Sequence, residues 1–437
     1  MKANEFKKRR QQLLQSVGVG NIALISSAGM HTRNRDVDYP FRQDSDFYYL
    51  TGFNEPDALA VFVPGREEGG YILFCREFDE TKALWEGAHA GLEGAAKHYA
   101  ADEAFSINEV DEKLPELLAG KRKVFYPLGH DAELDASVLD WLKQLREKAR
   151  SGATAPHELS AIEQILHEMR LFKSAAELKL MRLAADVSAQ GHIKAMQACR
   201  AGRYEYQIEA ELVYHFMQAG LRAVAYPSIV AGGKNACTLH YTGNTDILKD
   251  GDLLLIDAGA ECDHYAADIT RTFPVSGTFS DAQRQLYQLV LDAQTAAIAQ
   301  VKPGADWIQP HEAAVEVLTR GLVKLGLLKG RVKKLIKDEK YKAFYMHRTG
   351  HWLGMDVHDV GDYKINDEWR VLEPGMVLTV EPGLYIPADC KKVDAKWRGI
   401  GIRIEDDVLV TEDGNEVLTR SVPKTIAEIE ALMQQAR

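Results

Sequence analysis

The sequence predicts two domains: a smaller α/β domain at residues 1–172, then an α+β domain at residues 173–437 made of two similar α/β halves. Three observations lead there. A length of 437 residues, at roughly 150 residues per domain, admits two or three folding units. The first third alternates helical periodicity with short β-rich runs, the signature of a compact α/β unit with a mixed sheet. After residue 173 the patterns run helical, extended, helical, extended, the order of an α+β domain with a duplicated plan. No sequence repeat accompanies that duplication, which rests on pattern.

Glu5 to Val17 has helical spacing, and Ile22 to Ile25, Phe47 to Leu50, Leu59 to Val63 and Tyr71 to Cys75 are short β-rich runs bounded by Gly, Pro and Asn. From Ala132 to Lys148 the apolar residues Leu134, Val138, Leu139, Leu142 and Leu145 form one helical stripe. A polar stretch, Ser151 to Pro156, and one more helical segment follow. Ser174 and Glu177 then form an S-x-x-E capping box ahead of a long amphipathic helix, and a helix starting on its own cap marks the new domain. Two helical stretches reach about Gly220. Extended segments follow at Pro227 to Val230 and Asp252 to Pro274, then a helical pattern from Asp281 to about Lys329. Met376 to Ile386 and Gly401 to Thr411 are extended again.

With 46% hydrophobic and 27% charged residues the chain is globular, which excludes disordered, collagen-like and disulfide-scaffold classes. A net charge of −11 argues against a nucleic-acid partner, whose binding face is basic. Five widely spaced cysteines, Cys75, Cys199, Cys237, Cys262 and Cys390, contain no CxxC pair and suit a reducing compartment. Lys7-Lys8-Arg9-Arg10 lacks the apolar stretch of a secretory signal and reads as a solvated helix face. No apolar run approaches the roughly 20 residues of a membrane span. The expectation is a cytoplasmic protein without a membrane partner.

The most informative segment is Asp252 to Pro274, two β-rich arms around the polar centre Glu261 to His264. A turn centred between Cys262 and Asp263 sets Asp257 directly opposite Asp268. Opposed like charges in a β-pair are destabilising, and Asp257 follows four apolar residues, where an unpaired carboxylate is costly. A shared proton, an arginine such as Arg271, or a metal ion would neutralise the pair. The C-terminal third adds candidate ligands. His347, His351 and His358 fall within twelve residues, Glu381 ends the apolar strand Val377 to Val380, and Glu405 interrupts the run Ile400 to Glu405. Carboxylates at apolar strand positions beside a histidine cluster point to a buried cation. The spacing is not that of a structural zinc site, and the HExxH glutamate is absent. Oxygen-rich donors suit a harder ion such as Mn²⁺, and four acids carry enough charge for two divalent ions.

At these residues the chain resembles the metallopeptidases of the pita-bread fold, and among them aminopeptidase P, the Xaa-Pro aminopeptidases. Tyr39-Pro-Phe-Arg-Gln-Asp-Ser-Asp-Phe-Tyr-Tyr-Leu-Thr-Gly-Phe-Asn-Glu55 resembles the family's creatinase-type N-terminal domain, and residues 173–437 its catalytic domain with a curved antiparallel sheet. The resemblance implies five metal ligands: Asp257 in Leu-Ile-Asp-Ala-Gly, Asp268 in Ala-Asp-Ile-Thr-Arg-Thr-Phe, His351 in His-Trp-Leu-Gly-Met-Asp-Val-His-Asp, Glu381 in Leu-Thr-Val-Glu-Pro-Gly and Glu405 in Ile-Arg-Ile-Glu-Asp. It implies that Asp268 and Glu405 bridge two ions, that Asp257 completes one site, and that His351 with Glu381 completes the other. His240 and His358 match histidines that contact substrate and stabilise the tetrahedral intermediate. His347, Tyr385 and Arg403 match the lining of the proline pocket. Trp85 in Leu-Trp-Glu-Gly matches a tryptophan offered to a neighbouring subunit's active site in tetrameric members.

The implied activity is hydrolysis of the bond between an N-terminal residue and a following proline by a hydroxide held between two divalent ions, Mn²⁺ above others. Glu381 would act as proton shuttle, and the enzyme would work as a tetramer or dimer. Arg403, two residues before Glu405, could alternatively serve only as its charge balance. Prolidase, which takes Xaa-Pro dipeptides, and methionine aminopeptidase share the fold; the latter usually lacks a large N-terminal domain. A binding module that kept the fold and lost catalysis, as creatinase-like and histone-chaperone relatives lost the metal site, is a further alternative. Such proteins lack one or more of the five ligands, all of which are present here.

Overall fold

The computed structural model describes residues 1–436, and the chain divides into two compact units, Met1–Met169 and Arg170–Arg437. The division falls after Met169 rather than after 172. Arg170 and Lys173 both bond Asp359 of the second unit.

The first unit is built on a six-stranded mixed sheet in the order Glu103–Ser106, Tyr71–Cys75, Leu59–Phe62, Asn21–Ser26, Lys123–Tyr126 and Glu158–Ala161. Leu59–Phe62 runs antiparallel to both its neighbours, and the other three pairs are parallel. The helix Ala132–Glu147 packs Val138, Trp141, Leu142 and Leu145 into the core.

Two sequence expectations fail in this unit. Phe47 to Leu50 is not extended but lies in the helix Ser45–Thr51, closed by Asp44, whose side chain accepts from Phe47 N at 2.8 Å, and by the left-handed Gly52. A capped turn overrides the β-propensity of an aromatic run. Nor is Lys7-Lys8-Arg9-Arg10 a solvated face throughout: Arg9 and Arg10 are buried, donate to Tyr49 O and Leu50 O, and stack on the rings of Tyr49 and Tyr71.

The second unit repeats one plan twice. Its first helix, Ala175–Ala198, carries the Ser174–Glu177 capping box, and Glu205–Gln218 follows. The strands Ile229–Gly232, Leu253–Asp257 and Thr270–Pro274 then form an antiparallel sheet. In the second half the helices Asp281–Ile298 and Gln309–Lys324 precede the antiparallel strands Val377–Val380, Asp406–Thr411 and Gly414–Val417, together with the pair Gly383–Ile386 and Ile400–Arg403. One apolar core, including Leu254, Ile256, Phe273, Leu378 and Ile402, joins the two halves. Among the described residues no helix is long and apolar enough to cross a membrane.

Candidate functional site

The site begins with the hairpin. The turn is centred between Asp263 and His264, both left-handed (φ 49° and 70°), one residue later than the sequence suggests. Asp257 therefore faces Thr270, not Asp268. A slip of one residue in the turn centre moves the pairing by two positions, so both carboxylates keep the same face. The Tyr226 hydroxyl lies 2.6 Å from one oxygen of each, donating its proton to one at a time. Between them, only glycine fits at position 259, because a Cβ there would lie 1.7 Å from the Ala267 carbonyl oxygen.

The second half contributes the remaining groups. Glu381 leaves the strand Val377–Val380, and Glu405 sits between Ile400–Arg403 and Asp406–Thr411. His351 Nε2 is 3.3 Å from Asp268 Oδ2 and 3.8 Å from Glu381 Oε1. Ligating atoms of Asp268, His351 and Glu405 all lie within 4.8 Å of one another.

These side chains, with Asp257 and Glu381, line a cavity of about 720 Å³ that also exposes His240, His347, His358 and Arg403. Tyr385 is buried beside it, its hydroxyl 2.9 Å from His347 Nε2 and 3.0 Å from Arg403 Nη1. The rings of His351 and His358 meet edge to face at 4.4 Å. Trp85 lies on the Glu80–Glu86 helix of the first unit.

The arginines differ from expectation. Arg271 does not serve the aspartate pair; it is bound to Asp406 Oδ1 at 2.7 Å. Arg403 is paired with Asp257 Oδ2 at 2.5 Å rather than with Glu405, because its strand ends before Glu405 and the guanidinium turns toward the hairpin. Thr270 Oγ1 accepts from Arg403 Nε and donates to Glu405 Oε2 at 2.6 Å, so one threonine ties the two halves together. Tyr226 and Thr270 were not among the sequence candidates. Thr270 lies inside the Ala-Asp-Ile-Thr-Arg motif, which could have flagged it, whereas Tyr226 carries no local signal.

The electrostatics identify what the cluster lacks. Burial raises Asp257 above the usual carboxylate range against the pull of Arg403, and raises Glu381 to about 7. Burial, then Asp268, Glu381 and Asp257, lift Glu405 well above the usual carboxylate range. Burial alone would lower His351, but Asp268 reverses that and raises it to about 9; reciprocally His351, then Tyr226, bring Asp268 below the usual range although burial opposes them. Three buried acids and the half-buried Glu381 thus draw positive charge toward one point and are incompletely balanced by Arg403 and His351. A donor set of four carboxylates and one imidazole fits hard divalent cations.

Comparison with known proteins accords with this chemistry. Residues 179–412 match the metallopeptidase family M24, and residues 6–126 the aminopeptidase P N-terminal domain. The chain is 46% identical to the Xaa-Pro aminopeptidase of Escherichia coli over 99% of its length and 98% of the relative's. It superimposes on the aminopeptidase PepP of Pseudomonas aeruginosa with a TM-score of 0.99 at 55% identity, covering 100% and 99% of the two chains. Against zinc-substituted E. coli aminopeptidase P in complex with product the TM-score is 0.97 at 45% identity, with 100% and 99% covered. With the acid cluster, the duplicated antiparallel plan and both family matches in place, the chain belongs to metallopeptidase family M24, in its aminopeptidase P branch.

Proposed function

We propose that this chain is an Xaa-Pro aminopeptidase that removes the first residue from peptides with proline in second place, using two divalent cations, Mn²⁺ above others. The observation that carries this is the convergence of Asp257, Asp268, His351, Glu381 and Glu405 on one cavity with His240, His347, His358 and Arg403. Those five side chains would hold the ions. When bound, a pair of such ions supplies Lewis acidity, lowering the pKa of water and polarising a carbonyl.

The chain's own residues do the rest. Glu381 takes a proton from the attacking water and delivers it to the departing proline nitrogen. His358 and His240 donate to the carbonyl oxygen as charge develops there. The end around Asp257, where the ions would sit, would receive the substrate's free N-terminal amine. An Xaa-Pro bond is a tertiary amide with no N–H and φ fixed near −65°, so it does not dock as a regular strand. His347, Tyr385 and Arg403, fixed by mutual hydrogen bonds, give the pyrrolidine ring its wall. Burial and the Arg403 charge push His347 down to about 3, which keeps that wall uncharged on the imidazole side.

Five free cysteines support a cytoplasmic, reducing location. Leu84 and Trp85, each 83% exposed, support assembly into a homotetramer or dimer that covers them.

The test is to incubate the protein and Mn²⁺ with a matched Ala-Pro dipeptide and Ala-Pro-Ala tripeptide. Release of alanine from the tripeptide is expected. Cleavage of the dipeptide alone would assign prolidase activity instead, and cleavage of neither would return the fold to a binding role.

A further inference from the structure

Glu205 opens the helix Glu205–Gln218 and is fully buried, yet among the described residues no cation pairs with it. Its carboxyl group is met by four donors instead. Oε1 accepts from Gly232 N at 2.7 Å and Asn235 Nδ2 at 3.0 Å, and Oε2 accepts from the Tyr241 hydroxyl at 2.8 Å and Asp246 N at 2.9 Å. All four lie in one stretch of chain, residues 232–246, which begins where the strand Ile229–Gly232 ends. One turn along the same helix, Glu209 accepts from Asn244 Nδ2 at 2.9 Å. Asn244, buried and left-handed at φ 48°, also bonds Val230 N at 3.0 Å and Ser228 O at 2.9 Å. The helix therefore clasps both ends of the stretch.

The middle of the stretch faces the catalytic cavity. Leu239, His240 and Thr242 line that cavity, whereas Tyr241 reaches Glu205 and packs against the apolar cluster of Ile229, Ala231, Ala236 and Leu255. Residues 238–246 form no helix or strand, so side-chain bonds must set their shape. A buried carboxyl group needs partners, and a cation would have satisfied it, as Lys173 does for Asp359 and Arg271 for Asp406. Neutral donors drawn from one loop fix that loop as well.

We infer that Glu205 is a positioning residue for catalysis: through Tyr241 and the loop amides it holds the His240 imidazole where the carbonyl oxygen of the scissile bond arrives. The inference rests on the Xaa-Pro aminopeptidase reading and names the group that sets one of its histidines. Among the described residues Glu205 bonds none of the five side chains that would hold the ions, so its effect passes through His240.

The test is a double-mutant cycle on kcat/KM for Ala-Pro-Ala with saturating Mn²⁺, using Glu205→Gln, Tyr241→Phe, His240→Ala and each of the first two combined with His240→Ala. Bound Mn²⁺ per chain is measured for every variant. Glu205→Gln keeps the shape but turns an amide donor toward loop donors, and should lower kcat/KM about 10–100-fold. Tyr241→Phe removes one hydroxyl and should lower it about three- to tenfold. In the His240→Ala background both losses should shrink below about twofold, because the group they position is gone, and bound metal should stay unchanged. Losses that multiply undiminished with that of His240→Ala would overturn the inference, as would a His240→Ala variant as active as the wild type. Loss of Mn²⁺ in Glu205→Gln would also overturn it, by routing the effect through the strand pair that sets Ile229 against Asp257. If Glu205→Gln does not fold, the Tyr241→Phe cycle decides the matter alone. A wild type that leaves Ala-Pro-Ala intact would overturn the Xaa-Pro reading itself, an outcome seen before any variant is made.

Discussion

Glu405 and Asp406 are consecutive in the chain and both buried, yet their carboxyl groups meet opposite surroundings. Asp406 is gripped by Arg271 at 2.7 Å, Lys424 at 2.6 Å and Thr419 at 2.7 Å, and these charges hold it below the usual carboxylate range although burial opposes them. Glu405 accepts from Thr270, and burial with Asp268, Glu381 and Asp257 raises it against the pull of Arg403. The same contrast separates Asp359, bonded to Lys173 and Arg170 and held low, from Glu381, raised to about 7. Acids supplied with cations by the chain are architectural, whereas acids gathered with too few of them require charge from outside.

The contrast can be broken from either side. The largest effect is expected for Asp268→Asn, which removes the carboxylate nearest His351. Peptidase activity with Mn²⁺ should fall by more than about 10³-fold, on the order of 4 kcal/mol, and bound metal should fall with it; full retention of both would contradict the two-ion account. Asp359→Ala should act on stability instead. It leaves Lys173 and Arg170 facing a buried gap and should cost about 3–5 kcal/mol in urea denaturation. The loop from His351 to His358 ends beside it, so Mn²⁺ affinity should be measured in parallel. A variant as stable as the wild type would mean this ion pair is dispensable. Tyr226→Phe removes the hydroxyl shared by Asp257 and Asp268 and should lower Mn²⁺ affinity or activity about 10–100-fold, the range for groups that orient ligands.

The smallest effect is a pH dependence. Asp359 and Asp406 have folded pKa values below the ordinary value of about 3.9. The stability they contribute is fully present above that ordinary value and is lost as pH falls through the folded ones. Acid unfolding of Asp406→Asn should therefore be shallower than that of the wild type below about pH 4; identical profiles would remove Asp406 from the account.

Much of this was legible in sequence, and the exceptions have physical causes. Asp257, Glu381 and Glu405 stood out because each closes or interrupts an apolar strand, where a charge is expensive. The hairpin register was displaced because Asp263 and His264 adopt φ > 0 without the Asn-Gly or Gly that usually marks such a turn. The helix Ser45–Thr51 hid behind the β-propensity of Phe-Tyr-Tyr-Leu, although Asp44 and Gly52 were readable as its caps. Tyr226 and the true partner of Arg403 were invisible for another reason. Their bonds cross 31, 42 and 146 residues of chain, and no local pattern encodes contacts of that range.

The central claim is that the four acids gather because they hold cations. Calorimetric titration of chelator-stripped protein with Mn²⁺ tests it most directly. Two ions per chain are expected, with peptidase activity returning as they bind. Fewer than about one ion per chain would contradict the claim.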